Sequence, residues 1–194
     1  MTKLISIVGN VGVGKTTAAK ELAAAFGMAY FGESHDDRPF QHAAKIDPRF
    51  LFHNQVNFYL ERAKQEEIAR IGPQPAVFDG GLDIDFHIFT KLFFHKKMIN
   101  QTEFNQLSDL YQFFRRHLPF PDRIIYLTAQ QDRIRQRYMA RDRINLADSA
   151  DIPLIQNLLD EYINTIQTNK VLFYSTNDED KSYSRFITSM GALI

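Results

Sequence analysis

Apolar residues along this chain fall into short β-branched runs separated by longer amphipathic stretches. Lys3–Val8 is the first such run and stops at Gly9, the pattern of a strand buried on both faces. From Lys15 the period lengthens: Ala19, Leu22, Ala23 and Phe26 share one helical face, and Gly27 ends it. Met28–Phe31 predicts a second strand, with a polar loop over Gly32–Arg38 after it. A long amphipathic helix from about Phe50 to Ile71 is broken by Gly72 and Pro73. Ala76–Phe78 predicts a third strand, closing on Asp79-Gly80-Gly81, and Phe86–Phe94 and Glu103–His117 read as helices. Pro119-Phe120-Pro121 leads into a fourth strand, Arg123–Leu127. Then come a helix over Gln131–Arg143, a polar stretch over Asn145–Asp151, a helix over Pro153–Ile166, a fifth strand over Val171–Tyr174 and a last helix. Strands alternating with helices predict a three-layer α/β sandwich, a five-stranded parallel sheet with helices on both faces. No repeat or linker interrupts it, so residues 1–194 read as one domain.

Composition narrows the partners. Lys+Arg and Asp+Glu are both 23, which argues against a nucleic-acid polymer or an anionic membrane as the main partner. The chain has no cysteine, hence no disulfide framework and no thiolate metal site. The apolar run in MTKLISIVGN is too short for a secretory core, and no stretch approaches the roughly 20 apolar residues of a membrane helix, so cytoplasm is the expected compartment. The 17 Phe and 8 Tyr, with no Trp, leave two readings open: an aromatic core, or rings that sandwich a flat ligand.

The strongest chemical signal is Gly9-Asn10-Val11-Gly12-Val13-Gly14-Lys15-Thr16, which fits G-x-x-x-x-G-K-[ST], with Thr17 next to it. It follows a strand and opens an Ala-rich helix, the context a P-loop requires. Its glycines turn backbone N–H groups inward around phosphate oxygens, and the helix N-terminus adds partial positive charge. Lys15 is expected on the terminal phosphates and Thr16 on Mg²⁺, so ATP and Mg²⁺ are the expected cofactors.

Ligands in open α/β sheets sit beyond the carboxyl ends of the strands, where Glu33, Asp79 and Asp85 fall. A hydroxyl acceptor is a poor nucleophile, and a carboxylate beside it can orient it and take its proton. An Asp ending strand three commonly organises the metal shell, which makes Asp79 with Thr16 the expected metal pair. Gln131–Arg143 carries Arg133, Arg135, Arg137, Arg141 and Arg143, of which Arg133, Arg137 and Arg141 share a face. Such a cluster suits an arginine-rich lid, about residues 131–151, closing on phosphates. Gln55 and Arg62 are two turns apart on one helix face, and Gln55 offers the donor and acceptor needed to read a base edge.

Together these pieces resemble the deoxynucleoside kinase family, from about Lys3 to Asp180. The resemblance is carried by Gly9–Thr16, by Glu33, by Gln55 and Arg62 in FHNQVNFYLER, and by Asp79 and Asp85 in FDGGLDID. It continues with PFPDRIIYL at Pro119–Leu127, with Arg137, Arg141 and Arg143 in RQRYMARDR, and with Asp178-Glu179-Asp180. It implies ATP-dependent phosphorylation of a nucleoside 5′-hydroxyl. Glu33 would be the base, with Asp79 either on the metal or acting as the base itself. Gln55, Arg62 and Asp85 would form the base pocket, with Arg143 also on the substrate side. Arg137 and Arg141 would clamp the transferring group, and Asp178–Asp180 would border the adenine. It also implies a homodimer.

The sequence departs from the family at the acceptor side. Gly80 and Gly81 stand where the family has Arg and Ser; Arg38 and Arg143 are candidates to replace that arginine from another direction. Ala44 and Lys45 occupy the region of the family's sugar-contacting Tyr, and Leu146 stands near the place of the acid after the lid, with Asp148 and Asp151 beyond. Two other readings therefore stay open: a kinase of another small acceptor such as a nucleoside monophosphate, and a non-catalytic ATP-binding module.

Overall fold

The computed structural model describes residues 3–33, 39–140, 146–179 and 182–191. Five parallel strands form one sheet: β1 (Leu4–Gly9), β2 (Ala29–Phe31), β3 (Ala76–Asp79), β4 (Arg123–Thr128) and β5 (Val171–Ser175), in the order β2-β3-β1-β4-β5. β1 is buried along its whole length, as its unbroken apolar run requires.

Alternation along the strands divides the core between the two faces. Ile5, Ile7, Val77, Ile125 and Leu127 face α1 (Lys15–Phe26), through Ala18, Ala19 and Leu22, and α9 (Ser184–Gly191), through Phe186 and Met190. Val8, Ile124 and Tyr126 face the other layer. That layer contains α3 (Leu51–Ile71), α4 (Leu82–Ile84), α5 (Lys91–His95), α6 (Gln101–His117), α7 (Gln131–Met139) and α8 (Ile152–Asn164). The three-layer α/β sandwich expected from the sequence is what the chain forms.

Three local features differ from the sequence reading. A helix, α2 (Pro39–Ile46), precedes α3 where no element was assigned; proline at its start loses no helical hydrogen bond. The helix after β3 begins at Leu82 and passes through a π-helical segment, Asp85–Thr90, into α5. There the Thr90 hydroxyl donates to the Asp85 carbonyl at 3.0 Å. α6 starts at Gln101 because Asn100 caps it: Asn100 accepts from the Glu103 N–H at 3.0 Å, and Glu103 accepts from the Asn100 N–H at 2.8 Å.

Several of the aromatic residues stack on one another. Phe86 stacks on Tyr111 with centroids 4.3 Å apart, Phe94 on Phe104 at 4.5 Å and Phe31 on Phe78 at 4.8 Å. For these rings the core reading holds. No helix among the described residues is long and apolar enough to cross a membrane.

Candidate active site

The site is built at the carboxyl edge of the sheet, where β1 lies between strands that leave in opposite directions. β1 runs straight into the glycine-rich turn, and α1 begins at Lys15. Among the described residues no side chain caps α1, and no acid lies in its first turn, so the helix N-terminus adds its partial positive charge at the glycine-rich turn. Gly12, at φ +79°, lets α7 pack directly on the loop; a Cβ there would stand 2.6 Å from the Ile134 carbonyl. Lys15 Nζ donates to the carbonyls of Gly9 and Asn10, at 3.0 and 3.1 Å. The Asn10 side chain turns away from the loop and donates to the Ile152 carbonyl and Gln156, both at 3.1 Å. Val11 and Val13 are buried, and Thr17 is half-buried beside Thr16.

Thr16 and Asp79, the pair expected on the metal, lie in contact. The Thr16 hydroxyl donates to Asp79 Oδ2 at 2.5 Å, while Asp79 Oδ1 is buried without a hydrogen-bond partner among the described residues. Burial pushes the Asp79 carboxyl above its ordinary range and the Glu33 charge adds to that; Lys15, the Thr16 hydroxyl and Arg62 oppose it. An orphaned buried oxygen beside a hydroxyl suits a small hard cation that takes its remaining ligands from phosphates.

Glu33, Asp79 and Asp85 come together around one guanidinium. Arg62 is fully buried, with Nη2 3.2 Å from Glu33 Oε1 and Nε 3.4 Å from Asp85 Oδ2. Nη2 also donates to the Asp79 carbonyl at 2.9 Å, and Nη1 to Gln65 Oε1 at 3.1 Å and the Gly32 carbonyl at 3.4 Å. Burial works against the charge on Arg62, yet Asp85, Glu33 and Asp79 hold its pKa above the ordinary arginine value. Gln55, two turns before Arg62 on α3, is also buried and accepts from the Thr90 hydroxyl at 3.5 Å.

On the donor side Arg137 rests on backbone oxygens. Nη1 donates to the Val13 carbonyl at 3.2 Å, and Nη2 to the Thr176 carbonyl at 3.0 Å. It ties the glycine-rich turn to the loop after β5. In that loop Asp178 is exposed and Glu179 accepts from the Tyr174 hydroxyl. Arg133 and Arg135 point to solvent. Arg38, Arg141, Arg143 and Asp180 lie outside the described residues. Asp148 and Asp151 pair with Lys96 at 3.3 and 2.7 Å.

Sequence reasoning missed Tyr30. Burial, then the charges of Asp79 and Glu33, push its hydroxyl up to about 12, so it belongs to the same cluster of acids. A tyrosine in the middle of a three-residue strand carries no signal of its own. The pair Asn54 and Gln41 was missed too; Asn54 Nδ2 donates to Gln41 Oε1 at 3.1 Å, both buried.

Residues 5–191 match the profile of the deoxynucleoside kinase family. The chain belongs to that family. A deoxyadenosine/deoxycytidine kinase of Bacillus subtilis (strain 168) is 29% identical over 143 residues, 72% of this chain and 66% of that protein. The matched part thus spans just under two thirds of that relative. A deoxyguanosine kinase of the same strain is 27% identical over 145 residues, 72% of this chain and 67% of that protein. The fold superposes on the M. mycoides deoxyadenosine kinase, solved with products dCMP and a flexible dCDP bound, with a TM-score of 0.83 and 23% identity. That superposition covers 98% of this chain and 100% of the other. Family membership makes the Gly80-Gly81 departure the most informative local feature. Gly80 has φ +79°, and a Cβ there would stand 3.4 Å from both Arg62 Nη2 and Glu33 Oε1.

Proposed function

We propose that this chain is a single P-loop kinase domain, residues 131–151 forming its lid, that transfers the γ-phosphoryl group of ATP to the 5′-hydroxyl of a deoxynucleoside. The products are the nucleoside monophosphate and ADP. The observation that carries the reading is Glu33 and Asp79 side by side near the glycine-rich turn: Arg62 pairs with the Glu33 carboxylate and donates to the Asp79 main-chain carbonyl, while the Asp79 carboxylate accepts from Thr16. The relatives named as deoxyadenosine, deoxycytidine and deoxyguanosine kinases support the acceptor class.

Glu33 is the base. Asp79 is committed to Thr16, whereas Glu33 lies 3.2 Å from Arg62 and keeps a slightly exposed carboxylate. As the acceptor oxygen forms its bond to phosphorus, Glu33 takes the hydroxyl proton and the bond to the ADP oxygen breaks. Lys15 and the α1 N-terminus balance phosphate charge, and Arg141 closes over it, with Arg137 holding the turn in place. Thr16 and Asp79 would hold Mg²⁺, which neutralises phosphate charge when bound. Gln55 reads the nucleobase, Asp85 fixes the floor of that pocket and Arg143 serves the acceptor side. Asp178–Asp180 borders the adenine.

Thermal shift decides between acceptor classes: nucleosides should raise Tm in the presence of MgATP, and mononucleotides should not exceed them. A larger rise with mononucleotides would transfer the reading to a nucleoside monophosphate kinase. Two copies pair through the outer faces of α3 and α6, where Leu60, Ile68 and Phe113 are 51%, 47% and 48% exposed. Sedimentation should report twice the 22.5 kDa chain mass; a monomer at micromolar concentration would refute the pairing.

A further inference from the structure

Tyr30 is the middle residue of β2, and its ring packs on the α1 side of the sheet. β2 runs parallel to β3 with Tyr30 opposite Val77, and alternation puts Asp79, two residues beyond Val77, on that same side. The Thr16 hydroxyl, reaching Asp79 from α1, agrees with this. The Tyr30 side chain runs forward over Gly32: a Cβ on Gly32 would overlap the Tyr30 hydroxyl, so the glycine leaves the phenol its room. Lys20 Nζ, on α1, lies 5.8 Å from the centroid of the ring and holds it from that side. The hydroxyl therefore stands at the exit of β2, beside the carboxyl end of β3.

No described residue hydrogen-bonds the Tyr30 hydroxyl. Burial, then the charges of Asp79 and Glu33, keep the phenol protonated, so its oxygen can both give and take a hydrogen bond. Asp79 Oδ1, on the same side of the sheet, is buried and also lacks a partner among the described residues. Mg²⁺ held by one or two side-chain oxygens and substrate phosphates keeps several of its waters, and those waters need acceptors. Lys15 and Arg62 can only donate, and Asp79 is already shared with Thr16. The phenol oxygen is an acceptor of the kind such a water requires.

We propose that Tyr30 is a positioning residue of the metal site: its hydroxyl accepts from a water on the Mg²⁺ that Thr16 and Asp79 would hold, and so fixes that ion against the nucleotide phosphates. The ring belongs to the packing on α1, and the hydroxyl to the ion. This rests on the kinase reading above, with Thr16 and Asp79 as the metal pair.

The test is Tyr30→Phe, which keeps the ring and removes only the oxygen. Binding of a non-hydrolysable ATP analogue is measured by titration calorimetry, once with Mg²⁺ and once with a chelator in its place. Loss of an outer-shell partner costs about 10–100-fold in metal affinity. The variant should bind the metal-free analogue as the wild type does and lose about tenfold of the tightening that Mg²⁺ brings. An unchanged gain from Mg²⁺, or an equal loss with and without it, would overturn the inference and leave Tyr30 a packing residue. Should the variant fail to fold, a crystal structure of the wild type with Mg²⁺ and the analogue decides the same point. A Tyr30 hydroxyl on a metal-bound water supports the inference, and one turned away from the ion refutes it. A wild type that gains nothing from Mg²⁺ removes the metal pair and the inference together. The kinase reading is judged separately, by wild-type turnover; an active wild type with an indifferent Tyr30→Phe sinks only the inference.

Discussion

Asp79 and Glu33 carry the same charge at the ends of neighbouring strands, and their contacts separate their roles. Asp79 takes the Thr16 hydroxyl on one oxygen and leaves the other buried and unpartnered, while Glu33 is braced by Arg62 at 3.2 Å. Glu33→Gln keeps the shape and removes the base; kcat should fall by about 10²–10⁴ with the ATP KM little changed, measured by steady-state kinetics. A loss confined to the ATP KM would contradict that assignment. Gly80→Arg restores the family's residue type but not its backbone, since φ there is +79°. It should lower stability by about 1–3 kcal/mol in a denaturant titration and should not raise turnover. At this scale the P-loop, Glu33, Asp79 and Gln55 were legible because spacing and strand ends place them. Asp85 was placed with Arg62, but the other acceptors of Arg62 were not, because contacts drawn from separate segments leave no mark on local sequence.

Elements were legible where period and punctuation agree. β1, α1 and β4 came from unbroken apolar runs or a single helical face, and the parallel sheet follows from strands alternating with helices, whereas its order β2-β3-β1-β4-β5 had no local signal. α6 shows a signal that was present but unread: Asn100-Gln101-Thr102-Glu103 is a capping box, and the helix starts there rather than at Glu103. Asn100→Ala should cost about 1 kcal/mol, read from the denaturant midpoint; no change would mean the cap is idle. The π-helical turn at Asp85–Thr90 had no such signal, since it depends on packing against Gln55 and Tyr59 through Thr90. α2 was missed because its buried face is only Gln41 and Ala44, too little for a period to show.

For the molecule as a whole, a second buried polar cluster links α3 and α4 to α6. Tyr111 donates to Asp83 at 2.7 Å, Arg115 pairs with Glu66 and Asp83, and His87 lies 3.1 Å from the Tyr111 hydroxyl and stacks on Tyr162. Burial lowers His87 from 6.5 to about 4; Asp83 opposes this, while Lys91 and Arg115 reinforce it. As pH falls, the unfolded chain therefore takes up this proton first. The contribution is full above about pH 6.5 and is lost down to about pH 4, up to about 3 kcal/mol. Equilibrium unfolding should show a flatter curve for His87→Phe across that window, and parallel curves would contradict the assignment. The distribution of function over the chain follows the same division: the donor half is local and readable, whereas the acceptor half is assembled from β2, α3 and β3. The measurement that tests the account most directly is product mass after incubating the purified protein with MgATP and a panel of nucleosides. The account predicts a deoxynucleoside 5′-monophosphate formed at about 1–100 s⁻¹ and none with Lys15→Ala. Absence of any monophosphate with the wild type, or equal yield from Lys15→Ala, would contradict it.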